Sequence, residues 1–116
     1  MNYMIKRVFT IFILTLLLLF SSPVYSLDSS LKSLEKFTKK ISNKFSSTYC
    51  NTTKFGISYE GALAFAIGET NKEFKNNKHN KLIDYPLLKN SIVNDLENKC
   101  QVYDFDISSL ENLKFN

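Results

Sequence analysis

The sequence predicts an all-α fold, a small domain of three main helices followed by a short C-terminal helix. Two observations support this prediction. Apolar residues recur at spacings of three and four along three segments, and residues that favour turns or helix starts separate those segments. No internal repeat or second domain is visible, and about 90 residues are enough for one modest core.

The first helix is predicted over residues 28–48, where Asp28, Ser29 or Ser30 can cap its start by accepting a backbone N–H bond. Its apolar positions share one face of a 3.6-residue period. They are Leu31, Leu34, Phe37, Ile41 and Phe45. The opposite face carries lysines at four-residue steps. These are Lys32, Lys36, Lys40 and Lys44.

Residues 49–57 are predicted to interrupt the helical pattern. Asn51, Thr52 and Thr53 favour turns, and Gly56 can adopt a positive φ that other residues resist. Cys50 is therefore expected just after the first helix.

The second helix is predicted from about Tyr59 to Phe74, with Ser58 as its N-cap and Glu60 in its first turn. Its predicted apolar line is Ala62 or Leu63, Ala66 or Ile67, Thr70 and Phe74. A separate stripe of small residues predicts close approach of another helix. This stripe is Gly61, Ala64 and Gly68.

A polar connection over residues 75–81 leads to the third helix, which Asp84 caps and which is predicted to end at Cys100. Pro86 fits its first turn, where a missing N–H does no harm. The helix's apolar line is predicted at Tyr85, Leu88, Ile92 and Leu96. Beyond an extended stretch, Ser108-x-x-Glu111 matches a capping box and predicts a short last helix.

The N-terminus has the three parts of a secretory signal peptide. Lys6 and Arg7 precede a 13-residue apolar run, and Val24 and Ser26 occupy the −3 and −1 positions of a cleavage site. Residues 1–26 are therefore predicted to be a signal peptide and 27–116 the exported domain. The run is shorter than the roughly 20 residues of a membrane span, although retention as an anchor stays open. The expected location is an exported compartment or the extracellular space.

Charge argues against nucleic acid as a partner. Two of the 15 basic residues lie in the signal segment, so the predicted exported domain carries a net charge of only +2. The charge is unevenly distributed, because residues 28–48 carry +3 and residues 49–116 carry −1. The lysine stripe at Lys32, Lys36, Lys40 and Lys44 can contact an anionic membrane surface or an acidic protein partner. The alternative is an ordinary solvated helix face.

The two cysteines, Cys50 and Cys100, are predicted to form a disulfide, as is usual in a small exported domain. In an up-down-up arrangement the first and third helices are parallel, which brings both cysteines to one end of the domain. A metal site would need more ligands at closer spacing. A Cys–His nucleophile would need His79, which lies in a polar stretch, and the CxxC motif of redox proteins is absent.

The sequence does not indicate an enzyme, and no cofactor is predicted. Glu69 and Glu73 lie one helical turn apart but are flanked by lysines, which is typical of a solvated face. There is no nucleophile-elbow pattern and no glycine-rich phosphate loop. No histidine in a helix is an obvious haem ligand. The aromatic residues at helical spacing are expected in the core, and a pocket for an apolar ligand or pigment is the alternative.

One segment resembles a known family. NKFSSTYCNTTKFGISYEGALAFAIGETNKEF, followed by a hydrophobic helix ending in NKC, resembles short exported proteins of marine cyanobacteria, over roughly Leu34 to Cys100. The shared elements are Phe45, Cys50, the Phe55–Ser58 turn, the alanine-rich helix with Glu69, and Cys100. The resemblance implies the periplasm or thylakoid lumen and supplies no activity.

Two functions remain as hypotheses. The first is a small exported accessory or interaction protein, whose partner would be a protein or an anionic membrane surface. The second is a small helical binder of an apolar ligand or pigment. The sequence does not indicate the oligomeric state.

Overall fold

The computed structural model describes residues 2–115, with side chains for residues 2–16 and 31–115. The all-α prediction is confirmed. The described residues form three α-helices, α1 (Asn2–Lys54), α2 (Tyr59–Phe74) and α3 (Tyr85–Cys100). A 3₁₀ helix at Asn80–Leu82 lies between α2 and α3, and a second one, Ile107–Leu110, follows α3. No strand occurs among the described residues.

The chain divides into two compact units, Met1–Ser33 and Leu34–Asn116. In the first unit, the described apolar side chains from Tyr3 to Leu16 are exposed. The predicted start of the first helix near residue 28 is wrong, because α1 has already begun at Asn2. Cleavage after Ser26 stays a prediction, since the side chains of the proposed cleavage site lie outside those described. Within the described residues, no helix is both long and apolar enough to span a bilayer.

The predicted interruption at residues 49–57 begins too early, because α1 continues to Lys54. The threonines expected to favour a turn instead bond back within the helix. The hydroxyl of Thr52 donates to the carbonyl of Thr48 at 2.6 Å, and that of Thr53 donates to the carbonyl of Cys50 at 3.0 Å. Threonine can therefore remain in a helix when its hydroxyl takes a backbone acceptor of the preceding turn.

Gly56 ends α1, as the sequence predicts, with a φ of 90°. Its N–H donates to the carbonyl of Thr53 at 3.0 Å, and the N–H of Ile57 donates to that of Thr52 at 3.4 Å. This pair of bonds is a Schellman motif, in which glycine is favoured because a Cβ disfavours positive φ.

The predicted cap and length of α2 are confirmed. The Ser58 hydroxyl accepts from the N–H of Gly61 at 3.2 Å, and the buried line is Ala62, Ala66, Thr70 and Phe74. The prediction that a helix packs on the small-residue stripe is wrong. Ala64 and Gly68 are exposed, and a Cβ added at Gly68 would meet no atom within 4 Å.

The predicted cap and end of α3 are also confirmed. The Asp84 side chain accepts from the N–H of Leu87, and the helix buries Leu88, Ile92 and Leu96 completely.

Helix α3 runs parallel to α1, as the up-down-up arrangement requires. Ser42 donates to Asp95 Oδ2 at 2.6 Å, and Lys99 Nζ donates to Ser46 Oγ at 3.0 Å. Both pairs are separated by 53 residues, and a constant separation is expected of parallel helices. Lys99 also donates to Asn43. These bonds fix the register of α3 along α1.

The first predicted apolar face is only partly buried. Phe37, Ile41 and Phe45 lie in the core, whereas Leu31 is 58% exposed in the first unit. The second unit has one core, built around Phe45 and completed by residues from α2, α3 and the C-terminal segment.

The C-terminal segment closes this core. Leu110, Leu113 and Phe115 are buried, and the Phe115 ring stacks on Tyr85 with centroids 6.2 Å apart. The predicted capping box is wrong. Asp106 is the N-cap, because its carboxylate accepts from the N–H and hydroxyl of Ser108, and these bonds lower its pKa.

Candidate functional site

Cys50 and Cys100 lie together at the C-terminal ends of α1 and α3, with their Cα atoms 5.7 Å apart and their sulfur atoms at disulfide-bonding distance. Cys50 lies inside the last turns of α1, not after the helix as predicted. Both residues are half-buried. The parallel helices therefore bring the cysteines to one end of the second unit, as the sequence indicates.

A cleft of about 850 Å³ opens beside the two cysteines. We call it the disulfide cleft. Its aromatic lining is Tyr49, Tyr59 and Phe105, and its charged lining includes Lys54, Glu60, Asp104 and Asp106. The Tyr49 and Phe105 rings meet edge to face, with centroids 5.8 Å apart.

Besides Asp106, Tyr49 is a titratable group of the cleft whose pKa is shifted. Burial raises the pKa of its hydroxyl, and the neighbouring Tyr59 and Asp104 raise it further. Only 3% of the residue is exposed. The hydroxyl therefore keeps its proton to a higher pH than an ordinary tyrosine does.

The four predicted lysines of α1 have different surroundings. Lys36 and Lys40 are exposed in the second unit, and Lys32 is exposed in the first. Lys44 is half-buried and pairs with Glu73 of α2 at 3.4 Å. We call Lys36 and Lys40 the basic face, since neither has an acidic side chain within 4 Å among those described. Lys44 is an interhelical contact, which its spacing along α1 did not reveal.

A third surface lies where α1 turns into α2. Phe55, Ile57 and Phe65 are 87%, 50% and 53% exposed, and they line one groove. We call these three residues the apolar corner. The remaining lining is uncharged, consisting of Thr48, Asn51 and Thr52.

The other residues considered from the sequence do not assemble into a catalytic site. His79 lies beside Phe37, with ring centroids 5.5 Å apart, and Phe37 is thirteen positions before Cys50 in α1. That distance is roughly 20 Å along a helix. Glu73 is engaged by Lys44. Among the residues the structure describes, no group of three potential ligands could hold a metal ion.

Sequence reasoning missed two of these surfaces. The disulfide cleft depends on Tyr49 and Phe105, which are 56 positions apart and carry no local signal. The apolar corner had a local signal, since the turn at Gly56 is flanked by Phe55 and Ile57, where polar residues are usual. Comparison with protein-family models, curated proteins and solved structures finds no match for the chain.

Proposed function

We propose that this chain is a small exported interaction protein, without enzymatic activity, that binds an anionic partner through the basic face of α1. One observation carries the proposal. Lys36 and Lys40 are exposed and lack acidic neighbours, whereas Lys39 and Lys44 of the same helix are paired with Glu35 and Glu73. The positive charge of a lysine without an acidic neighbour is not neutralised within the protein, so it can attract an anionic partner.

The N-terminal pattern supports export, and so does the resemblance to exported cyanobacterial proteins. The exposed apolar side chains of the first unit, such as Ile5, Phe9 and Phe12, are also typical of a segment that a translocation apparatus recognises. Export and cleavage are checked together by N-terminal sequencing of the exported protein. Leu27 is the expected first residue, and Met1 would contradict cleavage.

Retention on immobilised polyglutamate tests the basic face. The variant Lys36→Gln/Lys40→Gln should elute at lower salt than wild type. A matched control, Lys72→Gln/Lys75→Gln, removes the same charge from exposed positions elsewhere. Equal shifts in the two variants would mean that net charge alone governs retention, and the basic face would then be an ordinary solvated surface.

The second candidate function is binding of an apolar ligand, and the disulfide cleft favours it. Its volume of about 850 Å³ falls in the range of roughly 300–1,000 Å³ that ligand pockets occupy. Leu63 and Tyr59 supply apolar surface there, and Tyr49 can supply a hydrogen-bond donor. Native mass spectrometry of protein isolated from its source should detect a retained ligand, and Leu63→Lys should abolish it. Leu87→Lys, on exposed α3 surface, is the control.

A further inference from the structure

We propose that the apolar corner inserts into the interfacial region of an anionic lipid membrane. This inference rests on the proposed function, because it names the anionic surface that the basic face meets. It goes further by assigning the contact to Phe55, Ile57 and Phe65, which the lysine stripe does not include.

The shape of the corner suits a lipid surface. Phe55 directly follows the last residue of α1, and the positive φ of Gly56 turns the chain back towards α2. Phe55 is therefore an aromatic ring at the tip of a helical hairpin, with 87% of its surface exposed. A protruding apolar tip can enter the boundary between headgroups and acyl chains without rearrangement of the fold.

The area of the corner argues against a second copy of the chain as its occupant. The exposed fractions of Phe55, Ile57 and Phe65 correspond to roughly 350 Å². A stable protein interface needs about 800 Å² from each partner. The corner is thus less than half the size of a protein interface, whereas shallow insertion into lipid has no such minimum.

One lysine of the basic face lies on the same side of α1 as the apolar corner. Lys40 of the basic face and Asn51 of the groove are eleven residues apart, so they lie on one face of α1, roughly 16 Å apart along the helix. Lys44 lies between them but is paired with Glu73.

The groove itself is uncharged. Lys54, Glu60, Asp104 and Asp106 all line the disulfide cleft, and no charged side chain of either sign lines the groove of the apolar corner. A membrane that meets the corner would therefore face an uncharged tip, with Lys40 further along the same face of α1. Each lysine near an anionic surface should strengthen binding by about fivefold.

The chain contains no tryptophan, so a single introduced tryptophan reports on its own surroundings. Phe55→Trp places the reporter at the tip. Leu87→Trp places a matched reporter at an exposed position, 57% accessible in the first turn of α3. Leu87 is thirteen residues from Cys100, roughly 20 Å along the helix.

Both full-length proteins are mixed with phosphatidylglycerol vesicles and with neutral phosphatidylcholine vesicles. With anionic vesicles, Phe55→Trp emission should shift to the blue and should be quenched by acyl-chain-brominated lipid, while Leu87→Trp emission stays unchanged. Tryptophan emission reports only on the surroundings of the indole ring, so the result holds even if the N-terminal segment also binds the vesicles. Phe55→Ser should weaken vesicle binding by about tenfold or more, and circular dichroism checks that it stays folded.

The other outcomes overturn the inference. Unchanged Phe55→Trp emission would show that the tip does not enter lipid, and equal changes in both reporters would show non-specific adsorption. A blue shift that depends on protein concentration without vesicles would assign the corner to a second copy. In all these cases the polyglutamate experiment still decides the proposed function, because it contains no lipid.

Discussion

No neighbouring element in the structure requires a glycine at position 68. The residue is helical and exposed, and a Cβ there would meet nothing within 4 Å. A glycine inside a helix costs about 1 kcal/mol relative to alanine. A stripe of small residues predicts close packing only if it faces another element, and its sequence does not reveal which way it faces.

Gly68→Ala should therefore stabilise the protein by about 0.5–1 kcal/mol and raise the thermal midpoint by a few degrees. Gly56→Ala should instead lower the thermal midpoint, because Gly56 has a φ of 90° and alanine disfavours that conformation. Thermal unfolding monitored by circular dichroism measures both variants. A lower midpoint for Gly68→Ala would mean that the stripe is packed after all.

Ionisation of Tyr49 should lower the stability of the folded protein at alkaline pH. Its folded-state pKa is raised, chiefly by burial, so the folded state holds this proton more tightly than the unfolded state. The associated stability is fully present below the unfolded-state pKa, about 10 for tyrosine. It is lost as the pH rises through the folded-state value.

Tyr49→Phe should consequently unfold at a higher pH than wild type. The measurement is the thermal midpoint between about pH 8 and pH 11.5. Tyr103→Phe is the control, since Tyr103 is 73% exposed. If wild type and Tyr49→Phe lose stability in parallel over this range, the Tyr49 hydroxyl is not responsible.

Among the helices, the polar contacts between α1 and α3 are the ones that fix register. Ser42 is fully buried and donates to Asp95, which is half-buried. The Lys44–Glu73 pair between α1 and α2 is more exposed, at 38% and 46% of the side chains. Such a pair is worth only about 0–1 kcal/mol, so the α1–α3 contact should matter more.

A double-mutant cycle of Ser42→Ala and Asp95→Ala tests this expectation. The coupling energy should be roughly 1–2 kcal/mol, because a hydrogen bond to a carboxylate is stronger than a neutral one. The cycle of Lys44→Ala and Glu73→Ala should give a smaller coupling energy. Chemical denaturation supplies the free energies. A larger coupling for Lys44 and Glu73 would reverse the ranking.

The sequence predicted elements well where the signals were local. The starts of α2 and α3 followed from Ser58 and Asp84, because an N-cap acts within one turn. The end of α1 could not be predicted in the same way, since Thr52 and Thr53 can close a turn or bond back to the helix with similar ease. Asp106, and not Ser108, is the N-cap of the last 3₁₀ helix. It lies two residues earlier, and its carboxylate accepts hydrogen bonds from that serine.

The candidate surfaces, too, could be predicted only where the signal lay within one helix. The lysine periodicity identified the exposed Lys36 and Lys40. It did not show that Lys44 meets Glu73, because that pairing depends on how α2 packs against α1. The cleft depends on residues brought together by the whole fold, so periodicity along one helix could not reveal it.

For the molecule as a whole, the covalent link between α1 and α3 should be the largest single contribution to stability. Cys50 and Cys100 enclose 50 residues, and closing such a loop stabilises a fold by roughly 4 kcal/mol in the chain-entropy model. That is a large fraction of the total stability of a small domain.

Labelling of the native, unreduced protein with a thiol reagent should therefore find no free thiol, and Cys50→Ser/Cys100→Ser should unfold at much lower denaturant concentration than wild type. Reduced wild type is the matched control for the side-chain change. Two labelled thiols per chain, or equal stability before and after reduction, would contradict the structural role of the pair.

The parallel pairing of α1 with α3 also determines when a growing chain can fold. The apolar side chains of Phe37, Ile41 and Phe45 have no partner from α3 until about 50 more residues have been made. At a typical synthesis rate this takes roughly 3–10 s. During that interval α1 presents an uncovered apolar stripe, which a holding chaperone can bind and which delays compaction. Export, as proposed above, would benefit from that delay, because a chain that has not yet compacted can pass through a translocation channel.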